Sequence, residues 1–376
     1  MAAAAAAATD REARIAGLEL RRFRNIARGE LTPAKGITLL AGPNGAGKTN
    51  FLEALYMALT GRSPRTRADR ETIGFGEADC RAEADIEVSG EPHGFRCVVT
   101  RSEGRAHRVD GRAAEPADAE LRPAICVFMP DRLALVKGPP AARRSHLDLF
   151  AAALWPARAD IRRRYSRALG QRNALLARSA GTAPSSLDAW DRELAEAGIE
   201  LRDLRAEVVS ELAPGFAELS SDLGLEAGAA IAYRPRSEAT SADELATELA
   251  ERRSSDVSRG YSGHGPHLDE LAISLGDRAV RRYGSQGQQR LSLLALLFAE
   301  REVLAARRGR PPLMLLDDVT SELDPERRGL LGSRLARSGQ TLITATSPAD
   351  LPDGVERTEF AVEAGTISSR DGGGGG

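Results

Sequence analysis

Apolar residues recur along this chain with more than one period, and the period changes at recognisable places. Through the first third they alternate or form short continuous runs. ARIAGLELRRF (13–23) and GELTPAKGITLLA (29–41) read as strands, because every second side chain of a half-buried strand faces the core. RAEADIEVSGEPHGFRCVVTR (81–101) alternates on both sides of a glycine-containing turn and predicts a hairpin. HRVDGRA carries an Asp-Gly turn for another, and AICVFM (124–129) is a short buried strand. From about residue 151 the spacing becomes i, i+3, i+4, i+7. ADIRRRYSRALGQRNALLARSA and SLDAWDRELAEAGIELRDLRAEVVSEL, joined at GTAPSS, predict two amphipathic helices packed as an antiparallel hairpin. Strands return from about 260. A helix then starts near QGQQRLSLLALLFAE, and LMLLDD and QTLITAT read as buried strands before a closing hairpin in TEFAVEAGTISSR.

The expected architecture is therefore α/β, with a helical hairpin lobe inserted between two halves of a strand-rich lobe. The boundaries expected are a disordered tail over 1–14, the first half over 15–150 and the helical insertion over 151–255. The second half follows over 256–368, with a glycine-rich tail over 369–376.

Between ITLLA and FLEALYMAL stands AGPNGAGKTN, which fits G-x-x-x-x-G-K-[ST]. Glycines there let backbone N–H groups curl round phosphate oxygens, and the following helix turns its positive end toward the same anion. Gly42, Pro43, Asn44, Gly45, Ala46, Gly47, Lys48, Thr49 and Asn50 form the expected nucleotide cradle. Lys48 is placed to reach the β and γ phosphates of ATP and Thr49 to ligate Mg²⁺. LMLLDD supplies the other half: Asp317, at the end of a buried strand, is expected to hold Mg²⁺, and Asp318 to sit by the γ phosphate and orient water. Asp318, Lys48, Ser285 and Gly287 are the candidate catalytic residues. The last two belong to GSQGQQR (284–290), a second anion-binding arrangement at a helix start. One chain cannot easily use two cradles on one nucleotide, so this segment is expected to meet the γ phosphate held by a second subunit, with SELD (321–324) at the same seam.

Bulk properties narrow the function. The formal charge is −2 over 376 residues, so any nucleic-acid binding must use a local patch. Three cysteines, widely spaced and without C-x-x-C, argue against a disulfide framework or zinc site and fit a reducing cytosol. MAAAAAAATD lacks the basic start of a signal peptide, and no run of about eighteen apolar residues predicts a membrane span. GRSPRTR concentrates Arg62, Arg65 and Arg67 in a proline-containing loop that cannot be one helix face, which makes them DNA-contact candidates. Arg143 with Arg144 and Arg162 to Arg164 are further clusters, the latter also readable as a solvated helix face.

The order of these motifs identifies a family. Phosphate loop, helical insertion, signature helix, aspartate pair and SELD follow one another as in the ABC-type ATPase heads of SMC-like proteins. More closely the chain resembles the bacterial RecF family over about residues 15–365. The landmarks are LELRRFRN, GPNGAGKTNFLEALY, TGRSPRTRADRETIGFGE, MPDRLALVKGPPAARRSHLD, QRNALL, GHGPHLDEL, GSQGQQR and LLDDVTSELD. Leu268 stands where the family usually has arginine, and Arg132 where it usually has an acid. Thr346 stands near the place of the switch histidine of ABC transporters. The resemblance implies a weak, DNA-stimulated ATPase that forms an ATP-dependent homodimer. It also implies binding of single- and double-stranded DNA at gaps, and help from RecO and RecR in loading RecA. Two other readings stay open: a motor ATPase of the transporter kind, and an ATP-binding adaptor with negligible turnover. Asp318, in place of the glutamate common in faster ABC ATPases, lends the adaptor part of its support.

Overall fold

The computed structural model describes residues 13–129, 133–178, 186–225, 228–321, 323–336, 339–352 and 354–370. The tail expected over 1–14 falls outside these up to residue 12, and Ala13 already opens the first strand. Asp131, Arg132, Glu322 and most of GTAPSS also lie outside. By internal packing the chain forms two compact units, one of residues up to 132 together with those from 304, the other of residues 133–303.

The first unit is two sheets with a helix between them. β1 (Ala13–Phe23), β2 (Ile26–Leu31), β4 (Asp79–Val88), β5 (Glu91–Thr100), β6 (Gly104–Val109) and β7 (Arg112–Ala113) form an antiparallel sheet in the order β2-β1-β4-β5-β6-β7. Its hairpins turn at Ser89-Gly90 and Asp110-Gly111, all four residues at positive φ, the backbone that suits the twist of a two-residue hairpin. The second sheet joins β3 (Ile37–Ala41), β8 (Ile125–Phe128), β12 (Leu313–Leu316), β13 (Thr341–Ala345), β14 (Arg357–Glu363) and β15 (Thr366–Ser369) in the order β15-β14-β3-β13-β12-β8. All its pairings are parallel except β14–β15. β3, β12 and β13 are buried at every residue, which is why they read as unbroken apolar runs rather than alternations. Between the sheets lies α1 (Lys48–Thr60). Phe51, Leu52 and Leu55 share one core with Leu20 and Phe95 of the antiparallel sheet and with Leu40, Leu315 and Leu342 of the parallel one.

The second unit is mainly helical. α2 (Pro140–Leu154), α3 (Ile161–Arg178), α4 (Leu187–Asp222), α5 (Ala242–Glu251) and α6 (Gln286–Arg308, within this unit up to residue 303) accompany a three-stranded sheet, β11 (Arg278–Ala279), β10 (Glu270–Leu275) and β9 (Ala229–Arg234). The boundary expected at 150/151 falls inside α2, and the signature segment Gly284–Arg290 falls in this unit. The α2 sequence PAARRSHLDLFAAAL has a proline at its first turn, a helix-start signal. The two expected amphipathic helices form as α3 and α4, but α4 continues ten residues past Leu212, through Pro214. Burial of Phe216 and Leu219 offsets the lost hydrogen bond there, and Gly215 lets the turn lie against Ala299 of α6.

The second unit is stitched by buried arginines. Arg172 of α3 is fully buried, donating from Nε to Asp191 (2.6 Å) and from Nη1 to Asp256 (2.7 Å) and Ser262 (2.7 Å). In the GHGPHLDEL segment His264 pairs with Glu248 (2.5 Å), while Arg143 pairs with Glu270 (2.6 Å). Leu268, by contrast, is exposed.

Candidate nucleotide site

The loop from Gly42 to Gly47 leaves the carboxyl end of β3 and enters α1. Its shape depends on glycine. Gly45 and Gly47 have φ of 81° and 112°, a region that favours residues without Cβ. At Gly42 an added Cβ would stand 2.0 Å from Val362 O, so only hydrogen fits between the loop and β14. Gly365 N donates to Ala46 O (2.8 Å), bracing the loop with the tip of the β14–β15 hairpin. Pro43, Asn44 and Gly45 form the exposed tip. The start of α1 has no side-chain cap and no acid in its first turn. Apart from Asn50 N, which donates to Gly47 O (2.9 Å), its leading N–H groups and positive dipole end are therefore left for an external anion.

Lys48 is buried at that helix start and donates from Nζ to Gly42 O (2.6 Å) and Pro43 O (3.0 Å). Burial pushes its ammonium pKa below the ordinary value, while the carboxylates of Asp318, Asp317 and Asp350 push it back up. The next residue closes the site. Thr49 Oγ1 donates to Asp317, 2.8 Å from Oδ1 and 3.0 Å from Oδ2, across 268 positions of sequence. β13, between β3 and β12, supplies Thr344, whose hydroxyl donates to Asp317 Oδ1 (2.7 Å) and accepts from Asp318 N (2.9 Å). Burial raises the Asp317 pKa, the Thr344 and Thr49 hydrogen bonds and the Arg65 charge lower it, and the Asp318 charge raises it. Asp318 has a left-handed backbone (φ 49°) and a buried Oδ1 with no hydrogen-bond partner. Strain and an unsatisfied buried acceptor together mark a working position. A hydroxyl, a buried carboxylate and an orphaned oxygen beside an uncapped helix start fit Mg²⁺ and a polyphosphate. Among the described residues no group of three or more histidine, cysteine or acidic side chains is placed to hold a metal ion, so a cation here would rest on Thr49, the two aspartates and the phosphates themselves.

The sequence pattern gives no role to Asn25, Glu53 or Thr344, which stand behind this site. Asn25 Nδ2 donates to Gly45 O (3.3 Å) and Asn25 Oδ1 accepts from Asn50 (2.7 Å), so the β1–β2 turn lies against the phosphate loop. Buried Glu53 accepts from Arg24, Ser63 (2.6 Å) and Arg65 (3.0 Å). Arg65 also donates to Asn50 (3.0 Å), so it is tied to the surroundings of the loop although, like Arg62 and Arg67, it is exposed. Thr344 sits in an apolar strand sequence, and nothing in QTLITAT distinguishes its hydroxyl as a ligand support.

The signature segment is, in this chain alone, a helix cap. Ser285 Oγ accepts from Gln288 N (3.2 Å) and Ser285 N donates to Gln288 Oε1 (2.8 Å), a reciprocal box at the start of α6. A Cβ on Gly287 would meet nothing nearer than Ser285 Oγ at 4.0 Å, so its face is open. In SELD, Ser321 Oγ donates to Asp318 O (3.1 Å). Asp324 caps the following helix, Pro325–Leu335, by accepting from Arg327 N (2.9 Å). Thr346 Oγ1 donates to Asp350 (2.7 Å).

Comparisons with known proteins agree with this geometry. Residues 18–126 match the AAA domain family model. A DNA replication and repair protein RecF from Anaeromyxobacter dehalogenans (strain 2CP-C) is 41% identical, covering 94% of this chain and 99% of its own length. A solved structure of the recombination mediator protein RecF with ATP superposes with a TM-score of 0.83 at 24% identity, over 95% of this chain and 97% of that one. The Smc head domain of Pyrococcus furiosus gives 0.58 at 16% identity, over 95% and 96%. The fold is that of the ABC-type ATPase heads, with a nucleotide loop on a parallel sheet. Taken with a relative of that identity spanning nearly its whole length, this places the chain in the RecF family.

Proposed function

We propose that this chain is an ATP-gated DNA-binding protein of recombinational gap repair. ATP and Mg²⁺ bind at the phosphate loop, two copies close round them, and the closed dimer holds DNA. The observation that carries the reading is the convergence of Thr49 and Asp317, which are the two ligands a Mg²⁺-bound polyphosphate needs from the protein. Asp318 orients water toward the γ phosphate. Its side chain is one methylene shorter than glutamate, which supports slow turnover and keeps the adaptor with negligible turnover as the second reading; stimulation by DNA is supported by family membership alone. RecO and RecR as partners, and RecA as the protein loaded, are supported by family membership and by the RecFOR pathway named for the solved RecF structure. Among the described residues no helix is long and apolar enough to cross a membrane, and the three cysteines are free and buried, in keeping with a cytosolic protein.

The experiment is light scattering with ATP, with ADP and without nucleotide, each with and without gapped DNA. A doubling of mass with ATP alone, reinforced by gapped DNA, is expected; a mass that ignores nucleotide would sink the gating. Turnover measured alongside separates the ATPase from the adaptor.

DNA contact through the GRSPRTR loop rests on Arg62 and Arg67, since Arg65 already serves Glu53. Replacing both by alanine should weaken DNA binding about equally for unrelated sequences. The salt dependence should become shallower by about two phosphates' worth, roughly 0.9 each in log–log slope. Unchanged affinity and slope in a fluorescence anisotropy titration would remove this loop from the DNA surface.

A further inference from the structure

The second unit contains an open cleft of about 180 Å³ between the first turns of α2 and α3 and the loop before β10, lined by Arg144, Ser145, Asp148, Arg162, Arg205 and His267 among others. Arg205 is buried and satisfied. It donates to both oxygens of Asp148 (2.7 and 3.1 Å) and to Pro266 O (2.7 Å). Arg162 shares the same carboxylate at 3.4 Å and reaches Ser145 Oγ at 3.4 Å. Arg144 is different. It donates from Nη1 to Asp269 O (2.8 Å), forms no ion pair among the described residues and is half-buried.

The surroundings do not neutralise it. Arg143 is matched by Glu270 (2.6 Å), and Asp269 is occupied by Arg236 N (2.6 Å) and the Tyr233 hydroxyl. The four guanidiniums of Arg143, Arg144, Arg162 and Arg205 thus face the three carboxylates of Asp148, Asp269 and Glu270. Burial lowers the pKa values of Arg144 and His267; the Arg205 charge lowers that of Arg144 while Glu270, Asp269 and Asp148 raise it, and for His267 the Ser262 carbonyl and the Asp269 and Asp256 charges oppose the lowering by Arg144. The helices add to this. α2 and α3 both begin at the cleft with arginines and without an acid in the first turn, although a helix start favours anions and disfavours cations. A surface that stacks cations on two positive helix ends is complementary to an external anion.

We propose that this cleft seats one phosphate of a nucleic-acid backbone, with Arg144 and Arg162 as its charged donors and the Ser145 hydroxyl beside them. The inference rests on the DNA-binding reading above and adds a contact site in the helical unit. The cleft is below the ~300 Å³ typical of small-molecule pockets. It suits a phosphodiester group whose sugar and base remain outside rather than a whole nucleotide. Contacts of this type position a duplex without reading its sequence.

The test is fluorescence anisotropy with labelled gapped duplexes of two unrelated sequences, in ATP, across a salt series. Arg144→Ala should weaken both duplexes about tenfold, the order expected for a lost charge-assisted hydrogen bond, and make the log–log salt slope shallower by about 0.9. Arg144→Lys, which keeps the charge, should retain the slope. Arg162→Ala should act in the same direction, and its side chain is 47% exposed, so its fold is insensitive to the change. Wild-type affinity and slope in both alanine variants would overturn the proposal. A parallel calorimetric titration with inorganic phosphate separates the sources. Phosphate binding lost in Arg144→Ala with DNA binding unchanged would make this a small-anion site and overturn the nucleic-acid assignment. A wild-type chain that binds neither duplex would instead remove the DNA-binding function itself.

Discussion

Lys48→Met is expected to lower ATP turnover by about 10²–10³-fold, the loss typical of removing one preorganised charge-stabilising donor from a phosphoryl or acyl transfer site. Lys48 is the cation that the loop holds at the start of α1, and its Nζ rests on Gly42 O and Pro43 O at the mouth of the cradle. Those two carbonyls lose a donor in the mutant but belong to a partly exposed loop, so the stability cost should stay near 1 kcal/mol, within the range for a lost hydrogen bond. Methionine preserves the stem that packs beneath the loop. Far-UV circular dichroism and a thermal melt should therefore match wild type while ATP-dependent dimerisation disappears. Normal turnover and nucleotide affinity in a folded Lys48→Met chain would refute the site.

Ser285→Arg is expected to leave nucleotide binding to the monomer nearly intact and to reduce the ATP-dependent dimer by at least about tenfold, equivalent to roughly 1.4 kcal/mol. Ser285 and Lys48 belong to different compact units, and both lie at helix starts suited to phosphate. If the serine of one copy meets the γ phosphate held by another, ATP binds the dimer more tightly than the monomer and acts as a linker between them. An arginine fills that meeting place. The substitution also breaks the cap with Gln288, which alone costs about 0.5–2 kcal/mol of helix stability. Ser285→Ala is therefore the control, because it loses the cap without adding bulk. Its dimer should survive better than that of Ser285→Arg. Equal loss in both would point to a damaged α6 rather than a blocked interface.

Much of the candidate nucleotide site was legible because its parts are local. A glycine loop between a buried strand and a helix, and two aspartates ending an apolar run, each carry their chemistry within ten residues. The support behind them was not legible. Thr344 becomes a partner of Asp317 only because β13 lies between β3 and β12, and strand order is a tertiary fact. Asn25 braces the phosphate loop from a turn whose Arg24, like Arg22 at the end of β1, has positive φ, a conformation that arginine does not advertise. GRSPRTR looked like three equal arginines until the fold gave Arg65 to buried Glu53. Pro214 would have ended α4 on propensity alone, and packing carried the helix through it. The expected boundary at 150 falls inside α2 because PAARRSHLDLFAAAL has no large apolar residue before Leu147, so its apolar period appears only in its second half.

The central claim is that each ATP site is built from two chains, and mixing the two defective proteins tests it most directly. In a dimer of one Ser285→Arg chain and one Lys48→Met chain, one site combines both defects and the other has neither. ATP turnover measured across mixing ratios should rise from near zero for either mutant alone to a maximum at equal amounts, where mixed dimers are most abundant. A mixture that stays inactive at every ratio, with both chains folded and the Ser285→Arg chain still binding ATP, would contradict a shared site.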